Sequence, residues 1–81
     1  MDLIDTIALM SSTDYKDRFK AEYFQTKIRF MRLSQMIVKY DAGTLEFVPD
    51  CPIDLLKNQA NAMSEYLHAL EVRAEVEKIK L

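Results

Sequence analysis

The sequence predicts an all-α protein: a short N-terminal helix followed by a long antiparallel helical hairpin that assembles into an oligomer. Three observations carry this. One glycine and two prolines in 81 residues leave little material for turns. Apolar residues recur at alternating steps of three and four through two stretches of similar length, the signature of paired helices. Each stretch also carries a second apolar stripe, which a lone hairpin has no means of covering. The chain is read as one helical domain over residues 1–81, with no internal repeat or low-complexity tract.

The first helix is expected over about residues 2–10, where Leu3, Ile4, Ile7, Ala8 and Met10 make a broad apolar side. So short a helix is unstable alone and must dock. Ser11-Ser12-Thr13-Asp14 follows, a run of residues whose short side chains accept bonds from free amides at a helix start. The second helix runs from about residue 14 to 41, roughly 40 Å at 1.5 Å per residue. Asp14 and Asp17 fall in its first turn, where negative charge suits the helix dipole. Gly43 fits the left-handed position just past its end.

Residues 42–51 connect the hairpin. Leu45 and Phe47 alternate with Glu46 and Val48, which predicts an extended segment packed on the helices. The third helix is expected over about residues 52–79. Pro52 suits its first position, because the amide that proline lacks has no helical partner there.

Phe19, Tyr23, Thr26, Phe30, Leu33, Ile37 and Tyr40 form the seam of the second helix. Leu56, Ala60, Met63, Leu67, Leu70 and Ala74 form that of the third. Small Ala60 and Ala74 facing large aromatic residues should fill the seam without voids. The second stripes are Phe24, Ile28, Met31 and Val38 on one helix, and Tyr66, Ala69, Val72, Val76 and Ile79 on the other. Phe24, Ile28, Met31, Val38, Tyr66, Val72 and Val76 are therefore candidates for an oligomer interface. A C2 dimer is the expected unit, with a tetramer or hexamer if dimers pair further. The alternative is that the first helix and the Leu45–Phe47 segment cover both stripes.

Composition narrows the function classes. Hydrophobic residues make up 49% and charged residues 30%, a globular balance. A chain of this size buries only about 60% of its unfolded surface and is marginal as a monomer. Cys51 is the only cysteine and His68 the only histidine, so neither an internal disulfide nor a Cys/His zinc site can be built. No cofactor or metal is expected. No apolar run approaches a membrane span, and Asp2 and Asp5 do not suit a secretory signal, so a cytoplasmic location is expected. The net charge of −2 argues against a DNA or RNA coat.

The charge is segregated. Residues 14–41 hold seven basic and four acidic side chains, and the remainder four basic and nine acidic. On a helical wheel Arg18, Gln25, Arg29, Arg32 and Lys39 share one flank. Arginine's fork of donors matches phosphate and carboxylate geometry, so the stripe could line a pocket between subunits. The other reading is a solvated flank, or one paired with Glu65, Glu71, Glu75 or Glu77. Tyr15, beside Lys16 and Arg18, could stack on a base. It could equally extend the seam one step beyond Phe19. Arg18, Arg29, Arg32, Tyr15 and Lys27 are the candidate ligand-binding residues.

No enzyme signature stands out: no Gly-rich loop is present. Glu65-Tyr66-Leu67-His68 has Glu-x-x-His spacing but in one copy only, and a bundle metal site needs two. No catalytic residue is expected.

Two stretches carry a resemblance. They are Tyr15-x-x-Arg18-Phe19-x-x-Glu22-Tyr23 and Leu55-Leu56-x-x-Gln59-x-x-Ala62-Met63-x-x-Tyr66-Leu67-x-x-Leu70-x-x-Arg73. Together they resemble short helical-hairpin proteins of tailed bacteriophages, crAss-like and Firmicute phages among them. Glu22, Gln59 and Arg73 are the distinctive polar members. In size, acidity and plan the chain is also similar to phage sponge proteins of the anti-CBASS and anti-Thoeris type, which bind cyclic-nucleotide messengers between subunits. The resemblance implies a phage-encoded, non-enzymatic oligomeric binder that sequesters a host cyclic-nucleotide immune signal in the host cytoplasm. The alternatives are a protein-binding inhibitor of a host defence enzyme, of the anti-CRISPR kind, and a small accessory or structural phage protein.

Overall fold

The computed structural model describes residues 1–81. It is all-α: a 3-10 turn over Leu3–Thr6 runs into helix α1 (Ile7–Met10), followed by α2 (Tyr15–Ala42) and α3 (Ile53–Glu77). The 28 residues of α2 set the long dimension of the molecule, 43 Å. Helices α2 and α3 run antiparallel, because Tyr15 meets Glu77, Tyr23 meets Glu71 and Asp41 meets Lys57.

Caps fix the ends. The Asp14 side chain accepts from the Lys16 amide at 3.0 Å, and Ser12 Oγ donates to Asp17 at 2.8 Å. Gly43 adopts φ +75°. The Thr44 amide then reaches back to the Lys39 carbonyl at 2.9 Å, so that the last carbonyls of α2 stay bonded. Pro52 stands one place earlier than the sequence suggested, as the cap before Ile53.

The seam buries unevenly. Phe19, Tyr23, Leu67, Leu70, Ala74 and Ile79 form the core. Thr26, Phe30, Leu33, Ile37, Leu56 and Met63 are only half-buried, and Tyr40 is exposed. The cause is a missing third layer. At the α2 start Ile79 from the chain end closes over the seam, whereas at the loop end two helices face each other alone. Ala60 is buried there, yet a groove of about 480 Å³ opens beside it between Phe30, Ile37 and Val38. The expected void-free seam therefore holds only at one end.

Two further expectations need correction. Residues 43–52 form turns and bends with no strand, and Phe47 and Val48 project into solvent. Only Leu45, Pro49 and Cys51 of that segment are half-buried, with Leu45 beside Lys39 and Tyr40 at the end of α2. Ile79 leaves the second stripe and is buried, because Lys78 turns left-handed (φ 57°) and the Ile79 amide bonds the Ala74 carbonyl at 2.8 Å. A non-glycine residue in that conformation costs about 1 kcal/mol, and burial of the Ile79 side chain offsets it.

The arm lies on the side of α2 away from α3. Residues three apart share a face, since side chains at i and i+3 eclipse in the 3-10 turn and stay neighbours in the α-turn that follows: Leu3, Thr6 and Leu9 turn inward, while Ile4, Ile7 and Met10 face out. Ala21 is 2% exposed, its lack of a long side chain allowing the close approach. Thr6 is fully buried and satisfied, donating to the Leu3 carbonyl at 2.7 Å and accepting from Gln25 at 2.9 Å.

The arm is tied down electrostatically at Asp2. Its carboxylate accepts from the Leu3 amide at 2.7 Å and pairs with Arg32 at 2.6 Å. The Leu3 amide first, and Arg32 second, hold the Asp2 carboxyl below its ordinary 3.8. A depressed carboxylate contributes anchoring that is complete above that value and is lost as pH falls through the folded one. Acidification below 3.8 is therefore expected to shift the Leu3 and Thr6 amide resonances toward random-coil positions. Asp2→Asn should abolish that acid step. A Leu3 resonance indifferent to pH in the native chain would remove Asp2 as the anchor.

Candidate functional site

The five candidate ligand-binding residues do not converge within one chain. Arg18 Nη1 donates to the Ser12 carbonyl at 2.8 Å, closing the turn before α2. Arg32 is held by Asp2. Lys27 lies 3.5 Å from the Tyr23 hydroxyl and 5.8 Å from its ring centre. Gln25, from the same wheel flank, is taken by Thr6. Arg29 is exposed and engaged by no side chain. None of Arg18, Arg29 and Arg32 pairs with Glu65, Glu71, Glu75 or Glu77. The arginine stripe is thus split by the docking of the N-terminal arm, and Arg29 is its free member.

Of the candidate interface residues, Phe24 is half-buried and meets Tyr23 edge-on with ring centres 5.4 Å apart. Ile28 is half-buried beside Met1 and Met31. Both are largely used inside the chain. Met31, Val38, Tyr66, Val72 and Val76 remain outward, Val72 at 49% and Val76 at 75% exposure. Exposed apolar rows of this kind on a small protein mark contact surfaces.

The chemistry that the hairpin does bring together lies along one edge of the α2–α3 seam. Tyr15 on α2 donates to Glu77 on α3 at 3.3 Å. Tyr66 on α3 donates to Glu22 on α2. Each tyrosyl ring therefore lies across the seam, in opposite directions. Between them, Arg73 Nε donates to Glu77 at 2.8 Å, and its guanidinium sits 4.7 Å from the centre of the Phe19 ring. The bond from Arg73 holds the Glu77 carboxyl below the usual carboxylate range, and Glu77 in turn raises Arg73. On the other edge, Tyr23 donates to Glu71 at 2.7 Å, and burial, then Glu71, push its phenol up.

Sequence reasoning missed Arg73 and Tyr66 as partners of Tyr15. The available signals were the i,i+4 spacing of Arg73 and Glu77, and the presence of Glu22 and Arg73 among the distinctive polar positions of the phage resemblance. The remaining chemistry is sparse. Cys51 is half-buried and free, and His68 is exposed. No three His, Cys, Asp or Glu side chains approach closely enough to hold a metal ion. No helix is long and apolar enough to cross a membrane.

The fold is thus a small buttressed hairpin with charged and aromatic groups displayed along one edge. Residues 13–76 match the family described as Sequestin, and the chain belongs to that family. The matched span takes in all of α2 and nearly all of α3. The family name denotes sequestration, a binding role. No curated protein and no solved structure matches the chain.

Proposed function

We propose that this protein is a phage-encoded, non-enzymatic oligomeric binder that sequesters a cyclic-nucleotide immune signal of the host. Membership of the Sequestin family is the observation that carries the reading. The likeness to phage sponge proteins supplies the ligand class. The exposed surface adds what such a ligand needs: Arg29 for a phosphate and Tyr15 for a base, with Tyr15 49% exposed. Arg18, Arg32 and Lys27 are each held by a neighbour in the single chain. They would contribute where a second subunit closes over the flank, through Met31, Val38, Val72 and Val76. Each of those charge-assisted bonds to phosphate is worth about 1.5–3 kcal/mol.

Isothermal calorimetry against cyclic di- and trinucleotides and cyclic ADP-ribose isomers tests the reading. Binding of at least one is expected, with intact ligand recovered after the complex is denatured. Chemically altered ligand would make the protein an enzyme, and no heat across the panel would end the nucleotide reading. Arg29→Glu is expected to weaken binding by at least about tenfold, equivalent to about 1.4 kcal/mol, without lowering the melting temperature. Unchanged affinity would move the phosphate contact elsewhere.

A further inference from the structure

Arg73 differs from every arginine in the candidate stripe. Arg18 spends a terminal nitrogen on the Ser12 carbonyl, and Arg32 spends one on Asp2. Arg73 is hydrogen-bonded only through Nε, to Glu77, and its guanidinium carbon lies 4.7 Å from the centre of the Phe19 ring. Both terminal nitrogens make no hydrogen bond within the chain, and the side chain is 54% exposed. A guanidinium anchored by its Nε edge and set against an aromatic ring presents its two outer nitrogens as a ready fork. Little rotamer entropy remains to be lost when an anion docks.

The surroundings complete the arrangement. Tyr15 lies one turn before Phe19 on α2, and Glu22, which receives the Tyr66 hydroxyl, lies one turn after. The seven residues from Tyr15 to Glu22 rise about 10 Å. The two tyrosyl rings are thus placed on either side of the Arg73 fork along the hairpin edge. They are 49% and 44% exposed although their hydroxyls are tied across the seam. A half-exposed ring held in place by its hydroxyl offers surface for stacking a base, worth about 1–3 kcal/mol per base.

We propose that Arg73, flanked by Tyr15 and Tyr66, is the phosphate-binding centre of a site for a dinucleotide, the phosphate on the guanidinium fork and a base against each ring. This rests on the sequestration reading for its ligand class and adds residues to it. Glu22 and Glu77 act as positioning residues, holding the rings and the fork in place. The site selects for two bases joined through phosphate, so a mononucleotide should engage only half of it.

The test pairs calorimetry with NMR. Cyclic di-AMP, cyclic GMP–AMP and AMP serve as nucleotide probes and pyrophosphate as the bare anion. The proteins are the full chain, Arg73→Lys, Arg73→Gln and Tyr66→Leu, each first shown to melt cooperatively. A cyclic dinucleotide is expected to bind at least about tenfold tighter than AMP, one base platform being worth that much. Arg73→Lys keeps the charge but loses the fork, and Arg73→Gln loses both. Losses of about tenfold and about 100-fold are expected. Binding by the native chain that folded Arg73 variants retain in full would overturn the site while leaving sequestration standing. Should the native chain bind no nucleotide, or should the Arg73 variants fail to fold, the native Arg73 Nε–H resonance decides during a pyrophosphate titration. A saturable shift larger than at Arg18 and Arg32 supports the anion centre, and an unmoved resonance overturns it.

Discussion

Truncation of Leu70 to alanine is expected to destabilise the protein more than any other single large-to-small change. Leu70 is 2% exposed and lies among Phe19, Tyr23, Leu67, Ala74 and Ile79, the cluster where α2, α3 and the returning chain end meet. Removing its branched end forfeits transfer energy and leaves a cavity, together about 2–5 kcal/mol. A domain of this size holds only about 4–12 kcal/mol in all, so the loss is a large share of the total. Each kcal/mol is worth about 4–8 °C of melting temperature in so small a domain, and a fall of at least 10 °C by circular dichroism is expected. Val48→Ala is the control. Val48 is 89% exposed, and its truncation should change stability by less than about 0.5 kcal/mol. Equal melting of the two variants would place the stabilising core somewhere other than the α2 start.

If copies of the chain associate through the outer face of α3, charge placed there is expected to separate them without unfolding the chain. Val72 and Val76 project to solvent, a turn apart on that face, and neither belongs to the buried cluster. If two copies meet there, an aspartate at either position is buried without a partner. That costs several kcal/mol, and about 2.7 kcal/mol already weakens association 100-fold. Val72→Asp with Val76→Asp should therefore run as a single 9.5 kDa species in light scattering where the native chain is larger. The pair should retain the native melting profile when measured at low concentration. An unchanged mass for the variant would move the contact to Met31 and Val38 on α2. A native chain that is itself monomeric at high concentration would remove the intersubunit pocket. Ile28 is a poorer probe, since it packs beside Met1 and its substitution would loosen the arm as well.

The helices, both caps of α2 and the seam near its start were legible because helical periodicity and capping are local properties. Steps of three and four state which side of α2 and α3 faces inward whatever lies opposite, and Gly43 marks the end of α2 by its own conformational freedom. The candidate site was legible in part. Arg29 is exposed and engaged by no side chain, Tyr15 is tied to Glu77 by its hydroxyl, and Arg18, Arg32 and Lys27 are held by Ser12, Asp2 and Tyr23. Ser12 and Asp2 were invisible to spacing, since nothing in α2 alone says where a short arm will land, whereas Tyr23 stands four residues before Lys27 on the same helix.

By itself the sequence determined an all-α hairpin with a short helix ahead of it, and apolar surface beyond what the hairpin covers. The tertiary structure alone decided three things: that the arm docks over Ala21 and claims Gln25 and Arg32, that Ile79 turns back into the core, and that Arg73 stands between two tyrosines. The reason is the distance along the chain between partners. Thr6 and Gln25 are 19 residues apart and Tyr15 and Glu77 are 62, so their meeting depends on how whole helices pack, a choice that no periodicity within one helix encodes.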